Sequence, residues 1–318
     1  MAIDGANPRS QRRRVRAIAH LGHRSRSLKQ EFIDLYDSFT HGVIDRRTFM
    51  DSLTKAAGGT AAALAVIGLL KPNYALAAIT EPNDGRLSTD RVTFKGATGE
   101  VKAYQARLKS ATGPLPAVIV VHENRGLNPH IEDVTRRVAL AGFHALGVDF
   151  MSQIGGTPAN TDTAAAEFAK VDMAKAAEDG VAAVNYLKSN GGTNGKVGAM
   201  GFCWGGGLVN QLAVRSPDLL AAAPYYGPVP AAADAAKIKA TMALHYAGLD
   251  QRINAGIPAY EEALKAAKVN YTVYMYPDSN HAFNNDTSAE RYNKAAADLA
   301  WTRTMELFQK TLGSTGRS

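Results

Sequence analysis

Val197-Gly-Ala-Met-Gly201-Phe-Cys203-Trp-Gly205-Gly-Gly207 runs from an apolar strand pattern straight into a glycine-rich turn and a helical pattern. A short, uninterrupted apolar run bounded by turn residues is what a strand buried on both faces requires. The central Gly201-x-Cys203-x-Gly205 has the form of a nucleophile elbow with Cys in place of Ser. Such an elbow holds its middle residue in strained backbone geometry on a sharp strand-to-helix turn, and glycine is needed on either side where strand and helix approach too closely for a Cβ.

The same alternation continues outward in both directions. Upstream, Arg91–Lys95 and Val101–Leu108 alternate as a hairpin, and Pro116–His122 is a buried strand. Asn128 and Pro129 open a helix that reaches Leu140, and His144–Val148 is a further strand. The spacing of Ala166, Ala169, Met173, Ala176, Val181, Val184 and Leu187 predicts one long helix over Asp162–Leu187. Downstream, a helix reaches Val214, and Leu219–Tyr225, Met242–Ala247 and Tyr271–Tyr276 are strands. Helices are expected over Gly256–Ala267 and Ser288–Leu312. Strands alternating with helices imply an α/β class with a mostly parallel, doubly wound sheet and helices on both faces.

The charge is unevenly placed along the 318 residues. Residues 1–78 hold 12 Lys/Arg against six Asp/Glu, whereas residues 79–318 hold 24 against 23. The net charge of +7 therefore belongs mostly to the leader, and a nearly neutral body without a basic stripe argues against nucleic acid as a partner. The single cysteine excludes an intrachain disulfide and a CxxC metal knuckle. Two domains follow: a basic leader over 1–78 and a catalytic domain over 79–318, the latter expected to fold alone and to associate weakly at most.

Within the leader, Arg46-Arg47-Thr48-Phe49-Met50 precedes a mild apolar segment, Ala56–Leu70, then Lys71-Pro72 and Ala75-Leu76-Ala77. A basic pair, a weak apolar stretch of about fifteen residues and a small-x-small site have the order of an export signal rather than of a membrane span. It resembles a twin-arginine signal, which implies transient engagement of that export machinery, removal after Ala77 and a periplasmic or secreted product, or a cytoplasmic one if the leader is silent. Arg12-Arg13-Arg14 and an amphipathic helix from Leu28 to Phe39 precede the pair.

In a parallel sheet the chemistry collects at the carboxyl ends of strands. His122-Glu123-Asn124-Arg125-Gly126, Phe202-Cys203-Trp204, Gly248-Leu249-Asp250 and Asp278-Ser279-Asn280-His281 lie at four such ends. Cys203, Asp250 and His281 follow one another in the order nucleophile, acid, base. His281 would exchange a proton with the thiol, and Asp250 would fix its tautomer and stabilise the imidazolium. His20, His23 and His41 lie in the leader, His144 and His245 within strands and His130 at a helix start, while Asp149 and Asp278 are the competing acids. The backbone N–H groups of Trp204 and Asn124 are the expected oxyanion donors.

Gly201-Phe-Cys-Trp-Gly-Gly, with an Asp and then His281-Ala-Phe283 downstream, resembles the dienelactone hydrolases (carboxymethylenebutenolidases) over roughly residues 90–315. The resemblance implies an α/β-hydrolase fold and a hydrolase that opens lactone or ester bonds through a cysteine acyl-enzyme, with a small-molecule substrate and no cofactor or metal. It also implies that Glu123 takes the thiol proton when substrate binds. One departure stands out: where the family places a carboxylate-binding arginine four residues after the histidine, this chain has Asn285, and Arg125 or Arg252 is left as the substitute. Other readings of the same residues are a metal site of His122, Glu123 and His281, a non-catalytic binding protein on this fold, and an exported acyltransferase or peptidase.

Overall fold

The computed structural model describes residues 28–74 and 79–313. The chain divides into two compact units between Gly68 and Leu69. In the first, α1 (Gln30–Thr40) is followed by α2 (Arg46–Ala57), which opens on the twin arginines and is capped by Asp45, whose carboxylate accepts the Thr48 N–H at 2.7 Å. Phe39 of α1 stacks on Phe49 of α2 with ring centroids 4.6 Å apart, and Tyr36 meets Phe49 edge-on at 6.3 Å. The expected apolar segment becomes α3 (Thr60–Leu70), which starts only after Gly58 and Gly59, both at positive φ. Among the described residues no single helix is long and apolar enough to cross a membrane; α2 and α3 qualify only as a pair bent by 108°. Arg12-Arg13-Arg14, Ala75-Leu76-Ala77 and the cut expected after Ala77 lie outside the described residues.

The second unit is built on one eight-stranded sheet: β1 (Leu87–Lys95), β2 (Glu100–Leu108), β3 (Leu115–Val121), β4 (His144–Val148), β5 (Thr193–Phe202), β6 (Leu219–Tyr225), β7 (Thr241–Ala247) and β8 (Tyr271–Tyr276). Their spatial order is β1-β2-β4-β3-β5-β6-β7-β8. β1 and β2 pair antiparallel, β2 joins β4 antiparallel, and all other pairs are parallel. Alternation along β3 explains how the sheet is covered: Ala117, Ile119 and Val121 feed the apolar layer on one face, Val118 and Val120 the layer on the other. The chain winds from β3 to β4 on one side and returns to β5 on the other. The crevice between the carboxyl ends of β3 and β5 is therefore the topological switch point, where open α/β sheets bind ligands.

Between the strands lie α4 (Pro129–Leu140), α5 (Thr161–Glu167), α6 (Met173–Ser189), α7 (Trp204–Arg215), the single turn α8 (Gln251–Asn254), α9 (Ile257–Ala266) and α10 (Lys294–Leu312). α4 begins as expected, with the Asn128 carboxamide accepting the N–H groups of His130 and Ile131. Two expectations are corrected. The single helix over Asp162–Leu187 is broken: after a 3-10 turn at Phe168–Lys170 the chain is extended at Val171, and Asp172 caps a new helix by accepting from Ala174 and Lys175. Apolar spacing carried the reading across a capping residue that restarts the helix. The last helix begins at Lys294, not Ser288, because residues 283–293 form a strapped loop: Asn293 donates its N–H to Phe283 and its side chain to Ser279, and caps α10.

The second unit is also tied at its start. The N–H groups of Ile79 and Thr80 donate to the fully buried Asp133 carboxylate at 3.3 and 2.7 Å. Arg136 holds the Thr80 carbonyl, and Arg137 links Asp133 to Asp286, 2.7 Å away, on the loop that follows His281.

Candidate active site

At the end of β5 the backbone turns abruptly. Cys203 has φ 57° and ψ −118°, its N–H donates to the Tyr225 carbonyl at 3.0 Å, and its carbonyl accepts from Gly207 at 3.2 Å. A β-carbon on Gly201 would lie 2.4 Å from the Gly205 carbonyl oxygen, and one on Gly205 would lie 2.4 Å from that of His122. Glycine is thus compulsory on both sides, because the first turn of α7 rests directly on the backbone of β3. Cys203 caps α7, which places its sulfur at the positive end of a helix dipole.

Among the described residues, five non-glycine residues have positive φ, and four of them surround this point: Cys203, Tyr226, Asp278 and Ala282. Strained backbone of this kind persists only where surrounding structure enforces it, and it gathers at functional sites.

The structure brings together Cys203, Asp250, His281 and Glu123, which lie far apart in sequence. His281 Nδ1 is 2.5 Å from Asp250 Oδ2, and the other oxygen of Asp250 accepts the Ile253 N–H at 3.2 Å. On its other side the ring faces Cys203, whose sulfur lies within 4.8 Å of a His281 nitrogen. All three residues are buried. Burial alone would lower the His281 pKa, but the negative charge of Cys203 and the hydrogen bond to Asp250 outweigh it and push it up to about 10. Burial would likewise raise the Asp250 carboxyl, yet the His281 hydrogen bond and charge hold it below its ordinary value. The three side chains lie in the series Cys203, His281, Asp250.

Glu123 is 8% exposed and its Oε2 accepts the Asn285 carboxamide at 2.7 Å. Asn285 in turn accepts from the N–H and hydroxyl of Thr287, at 3.1 and 2.6 Å. The residue standing where the resemblance places arginine therefore anchors the Glu123 carboxylate. Asn124 and Arg125 follow, both half-buried, and Trp204 opens α7.

His122 has a different part from Glu123. Its Nδ1 donates to the Glu123 carbonyl at 2.6 Å and its Nε2 accepts the Phe150 N–H at 3.1 Å. Both nitrogens are committed to backbone, and burial keeps the ring neutral despite Asp149 and Glu123 nearby. This geometry takes His122 out of the metal site considered with Glu123 and His281. The ring stacks on Trp204 with centroids 5.6 Å apart and planes 10° from parallel, so it supports the elbow from the β3 side. Asp149 is occupied by Met151 and Thr157, which leaves Asp250 as the acid paired with a histidine at this point.

Two buried residues near Cys203 and His281 carry no signal singled out in the sequence. Tyr226, fully buried, packs its ring 5.0 Å from that of His281. Arg291, 8% exposed and hydrogen-bonded to Ser288 at 3.0 Å, acts electrostatically on the Tyr226 hydroxyl. A doubled tyrosine at a strand end was the available signal for the first; a lone Arg in a loop read as helix gave none for the second. A cavity of about 620 Å³ lies beyond the loop after Glu123, lined by Arg91, Lys102, Leu127, Asp149 and Thr157 among others, and does not include Cys203, Asp250 or His281.

A family model described as the dienelactone hydrolase family matches residues 101–312, and a second, described as YqhI-like, matches residues 23–58. A Salmonella typhi protein provisionally named a carboxymethylenebutenolidase is 31% identical over 250 residues, 73% of this chain and 91% of its own length. An Escherichia coli K12 polypeptide provisionally named a hydrolase fragment is 51% identical over 102 residues, 31% of this chain and 87% of that fragment. The crystal structure of a Klebsiella pneumoniae protein provisionally named a dienelactone hydrolase superposes with a TM-score of 0.65 at 28% identity, covering 70% of this chain and 99% of that one. With its α/β-hydrolase fold and a family match across nearly all of the second unit, this chain belongs to the dienelactone hydrolase family of lactone and ester hydrolases.

Proposed function

We propose that this protein hydrolyses a lactone or carboxylic ester of a small molecule through a cysteine acyl-enzyme, with Cys203 as nucleophile, His281 as proton carrier and Asp250 as its orienting acid. The observation that carries this reading is the His281 ring held at 2.5 Å by Asp250 on one side, with the elbow sulfur within 4.8 Å of a ring nitrogen. In acylation the sulfur adds to the carbonyl carbon, and the Trp204 and Asn124 N–H groups stabilise the oxyanion. The carbon–oxygen bond then breaks as His281 gives its proton to the leaving oxygen. Water, deprotonated by the same imidazole, releases the acid and restores the thiolate. Glu123, fixed by Asn285, sets a second negative charge near the sulfur, which disfavours the thiolate before substrate arrives and accepts its proton when substrate enters. Arg125 is the cation closest in sequence to this carboxylate and is assigned to the substrate's polar end.

The test uses the sole cysteine. One equivalent of iodoacetamide should inactivate the enzyme, with an ester substrate slowing both events, and Cys203→Ala and His281→Ala should each abolish turnover of an activated ester. Wild-type turnover by Cys203→Ala would refute the mechanism.

The leader is assigned to twin-arginine export of the folded enzyme, from Arg46-Arg47 and Ala75-Leu76-Ala77. A chain starting at Ala78 would keep the anchoring of Ile79 and Thr80 on Asp133, consistent with a catalytic domain over 79–318 that needs no leader. N-terminal sequencing of protein from the periplasmic fraction should begin at Ala78; an intact leader on a cytoplasmic product would overturn the assignment.

A further inference from the structure

The side chain of Tyr226 is fully buried, yet its hydroxyl has no hydrogen-bond partner among the described residues. The same holds for Glu123 Oε1, while the other Glu123 oxygen is satisfied by Asn285. A buried, unpaired hydroxyl is costly, and such groups are rare enough in native proteins to demand an explanation. Tyr226 is also held at φ 38°, an unfavourable conformation for a bulky residue. Its N–H is tied to the His245 carbonyl at 2.7 Å, and its ring is wedged against Phe283 at 5.3 Å and His281 at 5.0 Å. The position is enforced from several sides, although packing alone would be served as well by phenylalanine.

The hydroxyl's surroundings define what it can do. Negative charges on Glu123 and Cys203 act on it directly and, after burial itself, raise its pKa well above the ordinary value. It therefore stays protonated through the working range and serves as a donor, not a base. β6 lies on the side of β5 away from β3, so Tyr226 reaches the nucleophile from the flank of Asp250 and His281. The expected oxyanion donor Asn124 comes from the opposite flank, after β3.

We propose that Tyr226 is a catalytic residue whose hydroxyl donates a hydrogen bond to the leaving-group oxygen of the ester as its bond to the acyl carbon breaks. The inference rests on the hydrolase reading above. During acylation the Cys203 sulfur forms the bond to the carbonyl carbon, the carbon–oxygen bond to the alcohol portion breaks, and the departing oxygen receives the His281 proton. Tyr226 keeps its own proton throughout and stabilises the negative charge that builds on that oxygen before the transfer is complete. A preorganised donor aimed at developing charge in a water-poor site is worth about 10²–10³ in rate.

The experiment compares Tyr226→Phe with the wild-type full-length chain on two acetate esters, one with a 4-nitrophenol leaving group and one with a simple alkyl alcohol. Nitrophenolate leaves readily without help, whereas an alkoxide does not. The variant should lose about 100-fold in kcat/KM on the alkyl ester, mainly in kcat, and only a few-fold on the nitrophenyl ester. Its Tm should be equal to or above that of the wild type, because an unpaired buried hydroxyl has been removed, and alkylation of Cys203 by iodoacetamide should be unchanged. Equal losses on both esters, no loss on either, or a Tm lowered by several degrees would each overturn the assignment and leave Tyr226 a packing residue. Cys203→Ala, assayed alongside, separates the two readings: turnover surviving in that variant refutes the acyl-enzyme and this inference together, whereas its loss with an unaffected Tyr226→Phe refutes this inference alone.

Discussion

Replacing Gly205 by alanine puts the elbow under a load that can be worked out. The added β-carbon would sit 2.4 Å from the His122 carbonyl oxygen and 2.7 Å from that of Val121, where ordinary contact begins at 3.4 Å. Both obstacles are backbone of a strand at the centre of the sheet, so neither can rotate away. The first turn of α7 must move off β3 by roughly 1 Å. Alanine in a helix gains about 1 kcal/mol over glycine, and overpacking of a tight interior costs about 1–3 kcal/mol. The net loss of up to about 2 kcal/mol corresponds to a Tm lower by roughly 4–8 °C for a domain of this size. The catalytic loss should be larger than the stability loss suggests. Cys203 and the Trp204 N–H ride on the displaced turn while Glu123 stays with β3, and a misplacement of about 1 Å typically costs about 10²-fold. Thermal melts and kcat/KM on an activated ester, measured beside Gly191→Ala, decide the matter. Gly191 has open space around its Cβ position and should give a neutral variant. Wild-type kcat/KM in Gly205→Ala would refute the claim that close approach of α7 to β3 places the nucleophile.

Asn285→Ala removes the donor that holds the buried Glu123 carboxylate, so a loss of about 1.5–3 kcal/mol in stability is expected from urea melts, with a lower rate of ester turnover. Asp250→Asn removes the charge that supports the imidazolium, and an orienting acid of this type contributes about 10⁴ in kcat, so single-turnover acylation should slow by orders of magnitude. For pH, His281 is raised from its ordinary value to about 10, so its ion-pair contribution is complete below about pH 6.5 and disappears as pH rises towards 10. The stability difference between wild type and His281→Gln should shrink over that window, and a difference constant with pH would contradict it. Asp286 behaves in the opposite sense. Burial would raise it, but His130 and Arg137 hold it at about 2, so its contribution is present above about pH 4 and lost as pH falls towards 2. Acid titration of Asp286→Asn against wild type should show the difference closing in that interval.

The residues of β3 and of β5 from Val197 onward announced themselves because a strand buried on both faces must be apolar throughout, and six of the strands agree with their expected limits to within a few residues. The elbow was equally legible: only glycine fits where backbone meets backbone, so Gly201 and Gly205 had to be written into the chain. The order of Cys203, Asp250 and His281 follows from strand ends sharing one edge of a parallel sheet. Helix limits were less secure wherever a polar residue had two uses. Asp172 reads as one more position of a long helix until its carboxylate is seen capping a new one. Ser288 reads as a helix start until the loop around His281 takes it. What tertiary structure alone decided is which polar groups face one another. Asn285 stands 162 residues from Glu123, and Tyr226 is 55 residues before His281, separations across which no local periodicity carries information. A buried carboxylate and a buried hydroxyl are defined by their partners, and partners at that distance exist only once the sheet has closed around them.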